Sequence, residues 1–145
     1  MRPAVPQYAR KGKPVEIKLA LGTDDGIKFS DGHFGSSKYF LVYGLDLETN
    51  RLRFIEKLDN SSPEERSHGD PRKAKNISQL LRGVSVLVGF RMGPNIVRIR
   101  KGFVPVISRQ KDIETALEKI KGLGRRIEAE LEKAPGTDKK ILHLD

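Results

Sequence analysis

The stretch Val15-Glu16-Ile17-Lys18-Leu19-Ala20-Leu21 decides the fold of this chain. It first alternates apolar and polar residues and then becomes wholly apolar, which is the pattern of a strand that enters the middle of a sheet. Gly22 and the polar residues 23–25 end it. We therefore predict an inner β-strand here, with the other elements placed around it.

A β-hairpin is predicted after this strand. Apolar and aromatic residues fill positions 39–45, and a second run with β-branched and aromatic members covers residues 52–58. The polar residues Glu48-Thr49-Asn50-Arg51 separate the two runs. Two strand-like segments around a short polar turn are typical of a hairpin.

Helices then alternate with strands. Asp70-Pro71 supplies a capping side chain and a pre-set φ, so it predicts the start of a helix. Apolar residues recur at helical spacing as far as Leu81, and Gly83 is a suitable stop. The apolar residues 84–90 are typical of a buried strand.

The last third of the chain repeats this alternation. We predict a second helix from Gly93-Pro94 to about residue 101, and a strand over residues 103–107. Apolar residues at helical spacing indicate a long amphipathic helix over residues 112–131, interrupted by two glycines. Pro135-Gly136 ends it, and the final residues look frayed.

This order of elements predicts an α/β fold with a mixed five-stranded sheet. Strand–helix–strand units imply parallel strands joined by right-handed crossovers. The first strand of the hairpin runs opposite to all the others. The carboxyl ends of the parallel strands then share one edge, here called the upper edge, where such folds bind ligands. The upper edge is expected to gather Asp24, Asp25, Asp31, His33, His68, Arg91, Met92, Asn95 and Arg109.

The loop Ser30-Asp31-Gly32-His33-Phe34-Gly35-Ser36-Ser37 is the strongest candidate for a site. Two glycines flank a His-Phe pair, so the backbone can reach φ values that other residues avoid. The imidazole can then point outward while Phe34 anchors the loop in the core. An ordinary surface loop with a solvated histidine remains the alternative interpretation.

Composition narrows the class of protein. The 145 residues suffice for one domain with tails. The absence of cysteine excludes disulfides and cysteine-based metal sites. We find neither an apolar run long enough to span a membrane nor the apolar core of a signal peptide, so a cytoplasmic location without membrane contact is expected.

Positive charge is unevenly distributed along the chain. The net charge is +9, and residues 1–14 carry four basic side chains and no acid. We interpret residues 1–14 as a flexible basic arm, residues 15–122 as the domain, and residues 123–145 as a helical extension and tail. The excess charge favours anionic partners, although solubility or life at high temperature would also account for it.

Several stretches carry a resemblance to a known family. The strand described first, followed by Asp25-Gly26, then His33-Phe34-Gly35 and Tyr39-Phe40-Leu41-Val42-Tyr43, resembles the dinitrogenase iron-molybdenum cofactor biosynthesis family. This family includes the NifX/NafY-type accessory domain, which is also fused to the end of NifB. The stretch from Gly89 to Asn95 is similar to the family as well.

The resemblance implies a ribonuclease-H-like fold of three layers, with helices on both faces of the sheet. It also implies a non-catalytic carrier that binds an iron-sulfur-based cluster, the iron-molybdenum cofactor or its precursor, during nitrogenase maturation in nitrogen fixation. The partners would be the proteins that donate and accept the cluster.

The resemblance also suggests which residues bind. His33 would be the metal ligand, with Phe34 and Gly35 completing its motif, and His68 a second candidate ligand. Arg91 and the backbone around Gly93, Pro94 and Asn95 would hold the anionic cluster. Met92 is expected to pack against a helix instead, and Asp24 and Asp25 to shape a turn.

An enzyme is a weaker hypothesis. A ribonuclease-H-like nuclease needs carboxylates for two magnesium ions, including one in the middle of the first strand. That strand has Glu16 near its start and no acid after it. We find neither a phosphate-binding Gly-x-x-x-x-Gly-Lys-Ser/Thr loop nor a cysteine nucleophile.

Two binding roles remain as alternatives. The basic arm and six further basic residues favour a nucleic-acid or anionic-ligand binding module without nuclease activity: Arg91, Arg98, Arg100, Lys101, Arg109 and Lys111. Arg98, Arg100 and Lys101 are more simply explained as a solvated helix face. The helix over residues 112–131 is expected to cover the sheet. Its end beyond Leu123 is expected to project or to meet a neighbour, which would allow a homo-oligomer.

Overall fold

The structure, a computed structural model, describes residues 16–60 and 71–145, with side chains described from residue 75 in the second range. The predicted basic arm and His68 lie outside the described residues. The strands are β1 (Glu16–Thr23), β2 (Tyr39–Asp46), β3 (Leu52–Asp59), β4 (Val86–Gly89), β5 (Val104–Ser108) and β6 (Leu142–Leu144). The helices are α1 (Pro71–Leu80), α2 (Ile96–Ile99), α3 (Ile113–Ile120) and α4 (Gly124–Leu131).

All these strands form one mixed sheet in the order β3-β2-β1-β4-β5-β6. β2 pairs antiparallel with both β1 and β3, whereas β4, β5 and β6 run parallel to β1. β1 is an inner strand, as its apolar pattern predicts. The carboxyl ends of β1, β3, β4, β5 and β6 therefore share the upper edge.

Side chains of β1 alternate between the two faces of the sheet and so belong to two separate cores. Ile17, Leu19 and Leu21 point to one face, where they pack with α3 and α4. Ala20 points to the other face, which α1 and α2 cover through residues such as Ile77 and Ile99. Because successive strand residues alternate between faces, a strand that is apolar at every position is buried on both.

The prediction of five strands is wrong because the final residues are not frayed. Leu142 and Leu144 are buried and form β6, which pairs in parallel with β5 over Val106–Ser108. His143 between them is exposed on that strand. A strand of three residues after a turn is too short to show a period in the sequence.

Two predicted helices are also shorter than expected. α2 has four residues, because the chain around Gly93 makes a turn before it. The long C-terminal helix is divided into α3 and α4 by a 3₁₀ turn at Lys121–Leu123. A Cβ on Gly124 would lie 3.1 Å from the Leu47 side chain, so this glycine lets α4 approach the β2–β3 turn closely.

The expectation that the C-terminal helix projects beyond Leu123 is wrong. Ile127 in α4 is fully buried in the core on the α3 face, and Leu131 packs against the same core. Glu130 is almost buried as well, and its carboxylate accepts hydrogen bonds from Lys133 Nζ and the Lys140 backbone N–H, both at 2.6 Å. α4 contacts β5, so it covers the sheet together with α3.

Candidate functional site

Three described loops meet at the upper edge. They are residues 24–38 between β1 and β2, residues 90–95 between β4 and α2, and residues 109–112 between β5 and α3. The first is tied to the last by hydrogen bonds from the Phe29 N–H to the Lys111 carbonyl, 2.8 Å, and from the Ile113 N–H to the Ile27 carbonyl, 3.0 Å. The predicted convergence of these loops is therefore observed.

The loop begins with a tight polar turn. Thr23 Oγ1 donates to the Lys28 carbonyl at 2.6 Å and accepts from the Gly26 N–H at 2.9 Å. Asp25 Oδ1 accepts from the backbone N–H groups of Ile27 and Lys28 at 2.8 and 2.9 Å. These bonds hold the pKa of Asp25 below its ordinary range. Asp25 thus shapes the turn, as its residue type predicts.

A buried hydroxyl pair closes the middle of the loop. Ser30 Oγ lies 2.7 Å from Ser37 Oγ, which donates to the Phe34 carbonyl at 2.7 Å. Asp24 Oδ1 accepts from the Lys38 N–H at 3.0 Å and lies 3.2 Å from Ser30 Oγ. The two ends of the His33 loop are therefore held together by side chains of the loop itself.

Phe34 anchors the loop in the core, as predicted. Its side chain is 1% exposed, and its ring lies 5.0 Å from that of Phe40. The Phe34 N–H donates to the Arg91 carbonyl at 2.7 Å. A Cβ on Gly22 would come within 3.0 Å of the Phe34 ring, so the strand itself makes room for it. Phe34 packs in the interior.

His33 rests on the glycine of the neighbouring loop. A Cβ on Gly93 would lie 2.6 Å from His33 Nδ1 and 2.7 Å from its Cγ, closer than atoms can approach. Gly93 also has a φ of +79°, which only glycine adopts at low cost. His33 is partly exposed. The imidazole is thus seated with its Nδ1 edge toward Gly93, and Nε2 lies further from that position.

Asn60, at the end of β3, holds the loop from a third side. Its Nδ2 donates to the carbonyls of Gly35 and Ser37 at 2.8 and 2.7 Å, and its backbone N–H donates to the Lys38 carbonyl at 2.9 Å. Gly35 is therefore fixed through its backbone. Nothing in the local sequence pairs Asn60 with a loop 25 residues earlier, so sequence reasoning missed it.

Charged groups surround the same loop. Lys111 Nζ lies 2.6 Å from Asp31 Oδ1, and its charge lies 5.0 Å from the centre of the Phe90 ring. The Arg91 guanidinium lies 5.6 Å from the same ring. A cavity of about 160 Å³ opens between Lys111 and the loop from Asp24 to Asp31. Phe90 was not predicted as a site residue, and Lys111 was predicted only as one of the basic residues of a possible nucleic-acid surface.

The turn before α2 is closed by its own backbone. The N–H groups of Ile96 and Arg98 donate to the carbonyls of Gly93 and Asn95, at 3.2 and 2.9 Å. Asn95 is buried, and its Oδ1 accepts from Arg98 at 3.0 Å. Pro94 is exposed. The N–H groups of Ile96 and Arg98 are therefore engaged in the turn, and Arg91 is exposed in the segment before it.

The remaining predicted residues are placed as follows. Met92 is 4% exposed and packs in the core on the α1 face, which agrees with its interpretation as a packing residue. Among the described residues, no group of three histidine, aspartate or glutamate side chains could hold a metal ion. No helix in the same part of the chain is long and apolar enough to cross a membrane.

A known protein family matches most of the chain. The model of the dinitrogenase iron-molybdenum cofactor family matches residues 15–123, about three quarters of the chain. The chain belongs to this family. The resemblance to the NifX/NafY-type domain is therefore confirmed, and its match ends in the 3₁₀ turn before α4. No curated protein sequence matches the chain at a significant level.

Membership of the dinitrogenase iron-molybdenum cofactor family connects the chain to the biosynthesis or binding of that cofactor. The matched region contains β1, the His33 loop, Asn60 and the loop with Arg91 and Gly93. The described site thus lies wholly within the family match, whereas α4 and β6 lie outside it.

Proposed function

We propose that this protein is a non-catalytic carrier of an iron-sulfur-based cluster, either the iron-molybdenum cofactor or its precursor, and that His33 is its metal ligand. Family membership supports the kind of cargo. The seating of His33 on Gly93 supports the choice of ligand, because a partly exposed imidazole is held in place by a glycine whose Cβ would displace it.

A single histidine ligand fits a carrier of a finished cluster better than a site on which a cluster is built. Among the described residues, His33 is not joined by two further metal-binding side chains. A neutral imidazole binds iron through one nitrogen and can release it. A preassembled cluster held by one histidine and by nearby positive charge would be transferred readily, which suits delivery between a donor and an acceptor protein.

The ribonuclease-H-like label is part of the same proposal. The order β3-β2-β1-β4-β5, with only β2 running against the others, and the helices on both faces support it. β6 would then be an addition at the edge. β1 has no carboxylate beyond Glu16, and Glu16 forms a bidentate ion pair with Arg53 at 2.7 and 2.8 Å. Both carboxylate oxygens of Glu16 are therefore engaged by Arg53, and we do not include nuclease activity in the proposal.

Anaerobic titration of the purified full chain with isolated iron-molybdenum cofactor would test the cargo and the ligand together. Absorbance and bound iron and molybdenum would be measured for the wild type, for His33→Ala and for His143→Ala. His143 is the matched control because it is an exposed histidine on β6, outside the family match. His68→Ala tests the second predicted ligand, which lies in the part of the chain that is not described.

We expect saturable binding by the wild type and by His143→Ala, and binding weakened at least about tenfold in His33→Ala. Unchanged circular dichroism and melting of His33→Ala would assign the loss to ligation. Equal binding by all variants would remove His33 from the proposal. No binding by any of them would remove the cluster as cargo and favour the alternative, a nucleic-acid or anionic-ligand binding module.

A further inference from the structure

Lys139, in the segment between α4 and β6, is buried although it carries a charge. It is 7% exposed. An ammonium group in the interior is costly unless hydrogen bonds compensate for the lost water. The Nζ of Lys139 donates to the Lys101 carbonyl at 3.0 Å, whereas the neighbouring Asp138 pairs with Lys101 Nζ at 3.1 Å. The interior position of Lys139 therefore depends on the chain just after α2.

Lys139 supplies partners to the carbonyl end of α2. The last carbonyls of a helix lack donors within the helix itself. Here the Lys139 backbone N–H donates to the Arg100 carbonyl at 2.8 Å, and its Nζ donates to the next carbonyl, that of Lys101. In return, Arg100 Nε donates to the Lys139 carbonyl at 2.9 Å. Hydrogen bonds in both directions thus join Lys139 to the two residues that follow α2.

A continuous series of hydrogen bonds leads from this contact to the seat of His33. The Arg100 N–H donates to the Ile96 carbonyl at 3.0 Å, and the Ile96 N–H donates to the Gly93 carbonyl at 3.2 Å. Gly93 is the residue on which His33 rests. The segment over residues 93–100 is therefore held by Lys139 at one end and supports the imidazole at the other.

We propose that Lys139 is a positioning residue for His33. It fixes the end of α2, and the hydrogen-bonded turns of residues 93–100 carry this constraint to Gly93. Packed and hydrogen-bonded segments transmit a shift from one end to the other because the interior leaves little room to absorb it. Lys139 lies outside the family match, which ends at residue 123, so the tail adds this constraint to the family domain. That the positioned imidazole binds a cluster rests on the proposed function.

NMR of the metal-free full-length protein tests the positioning. Lys139→Met keeps an unbranched side chain and removes the ammonium group. We expect this variant to shift the amide signals of Gly93 and Ile96 and the imidazole signals of His33. Amide hydrogen exchange at Arg100 is expected to accelerate about threefold or more, because the end of α2 opens more often.

A second variant and two controls accompany Lys139→Met. Arg100→Met removes the hydrogen bond to the Lys139 carbonyl and is expected to shift the same signals by a smaller amount, also if Lys139→Met does not fold. Lys140→Met is the matched control, because it removes the exposed ammonium group of the next residue. Ile127→Val lowers stability from the core on the other face of the sheet. Neither control should move the signals.

Two results would overturn the positioning role. One is that the signals of His33 and Gly93 stay in place in both Lys139→Met and Arg100→Met. The other is that Ile127→Val moves these signals as much as Lys139→Met does, because the shift would then follow any loss of stability.

Titration with isolated iron-molybdenum cofactor separates this proposal from the proposed function. Lys139→Met is expected to weaken cofactor binding roughly three- to tenfold, and Lys140→Met to leave it unchanged. If the wild type binds the cofactor but the His33 signals do not move in Lys139→Met, the positioning role fails and the carrier function stands. If the signals move but no variant binds the cofactor, the positioning role stands and the cluster is not the cargo.

Discussion

The two ends of β2 are connected in opposite ways. At its carboxyl end, the turn to β3 is closed by bonds among its own residues, with Asp46 Oδ1 accepting from the N–H groups of Glu48 and Thr49 at 2.8 and 3.0 Å. At its amino end, residues 24–38 are held by the Arg91 carbonyl, by Lys111 and by Asn60, each from another part of the chain. The first connection is closed by local bonds, whereas the second adds contacts with distant parts of the chain to its own internal bonds.

This difference indicates the role of residues 24–38, here called the upper loop. A hairpin or crossover can be closed with few residues, as the β2–β3 turn demonstrates. The upper loop instead uses a buried phenylalanine, a hydroxyl pair and a close contact with glycine to fix the position of His33. A solvated surface loop needs none of these contacts, so they favour the functional interpretation of His33.

The largest expected effect comes from removing the anchor of the upper loop. Phe34→Ala deletes a side chain that is 1% exposed and is expected to lower the free energy of unfolding by about 3–5 kcal/mol. Phe54→Ala, in β3, removes a ring that is 53% exposed and is expected to cost less than about 1 kcal/mol. Urea denaturation of both variants measures the difference. Similar losses would mean that the upper loop is not anchored as described.

A smaller effect is expected at the seat of His33. Gly93→Ala introduces a Cβ at a φ of +79° and within 2.6 Å of His33 Nδ1, and is expected to cost about 1–3 kcal/mol and to displace the imidazole. Gly136→Ala is the matched control, because its φ is +81° and nothing lies within 4 Å of its Cβ position. Gly136→Ala therefore measures the cost of the positive φ without any contact of the new Cβ.

The contact with His33 appears as the difference between these two glycine variants. Gly93→Ala should be the less stable one, and it alone should shift the imidazole signals of His33 in NMR spectra. If both variants lose the same stability and the His33 signals do not move, Gly93 is only a turn residue and the comparison between the two ends of β2 weakens.

The smallest effect concerns acid, and here the two connections should behave alike. Backbone hydrogen bonds, that of Lys28 for Asp25 and that of Thr49 for Asp46, are the largest causes that lower the pKa of each carboxyl. Each folded-state pKa lies below the unfolded value, so its contribution to stability is complete above about pH 4 and is lost as the pH falls.

Replacement by asparagine keeps an oxygen acceptor and removes this titration. Asp25→Asn and Asp46→Asn should therefore each flatten the fall of stability below about pH 4, by similar amounts. Thermal melting of the wild type and both variants at a series of pH values measures how steeply stability falls. A clear flattening in one variant only would show that the two turns differ in their local chemistry and not only in their long-range contacts.

Much of the fold followed from local patterns. β1 was recognisable because its residues are apolar on both faces, the β2–β3 turn because of its polar residues, and α1 because of its start at Asp70-Pro71. The parallel and antiparallel directions followed from the order of elements. β6 did not follow from local patterns, because three residues are too few to show a period. The division of the C-terminal helix did not follow either, because its two glycines only lower helix propensity.

The candidate site divides in the same way. The sequence singled out His33 and Phe34 through their flanking glycines, and it brought Arg91 and Gly93 to the same edge through topology. It did not predict Asn60 or Phe90, and it named Lys111 without pairing it with Asp31. These residues reach the loop from distant positions in the chain. Such pairings depend on which loops the sheet brings together, and no local pattern encodes them.

The sequence alone determined the central strand, the directions of the strands, the family and the histidine that the upper edge presents. These properties depend on periodicity, on turn residues and on short motifs, which act over a few neighbouring positions. Only the tertiary structure decided that His33 rests on Gly93, that Asn60 holds its loop, and that Lys111 pairs with Asp31. Each of these contacts joins residues that are 23 to 80 positions apart, and packing of the whole sheet sets their distances.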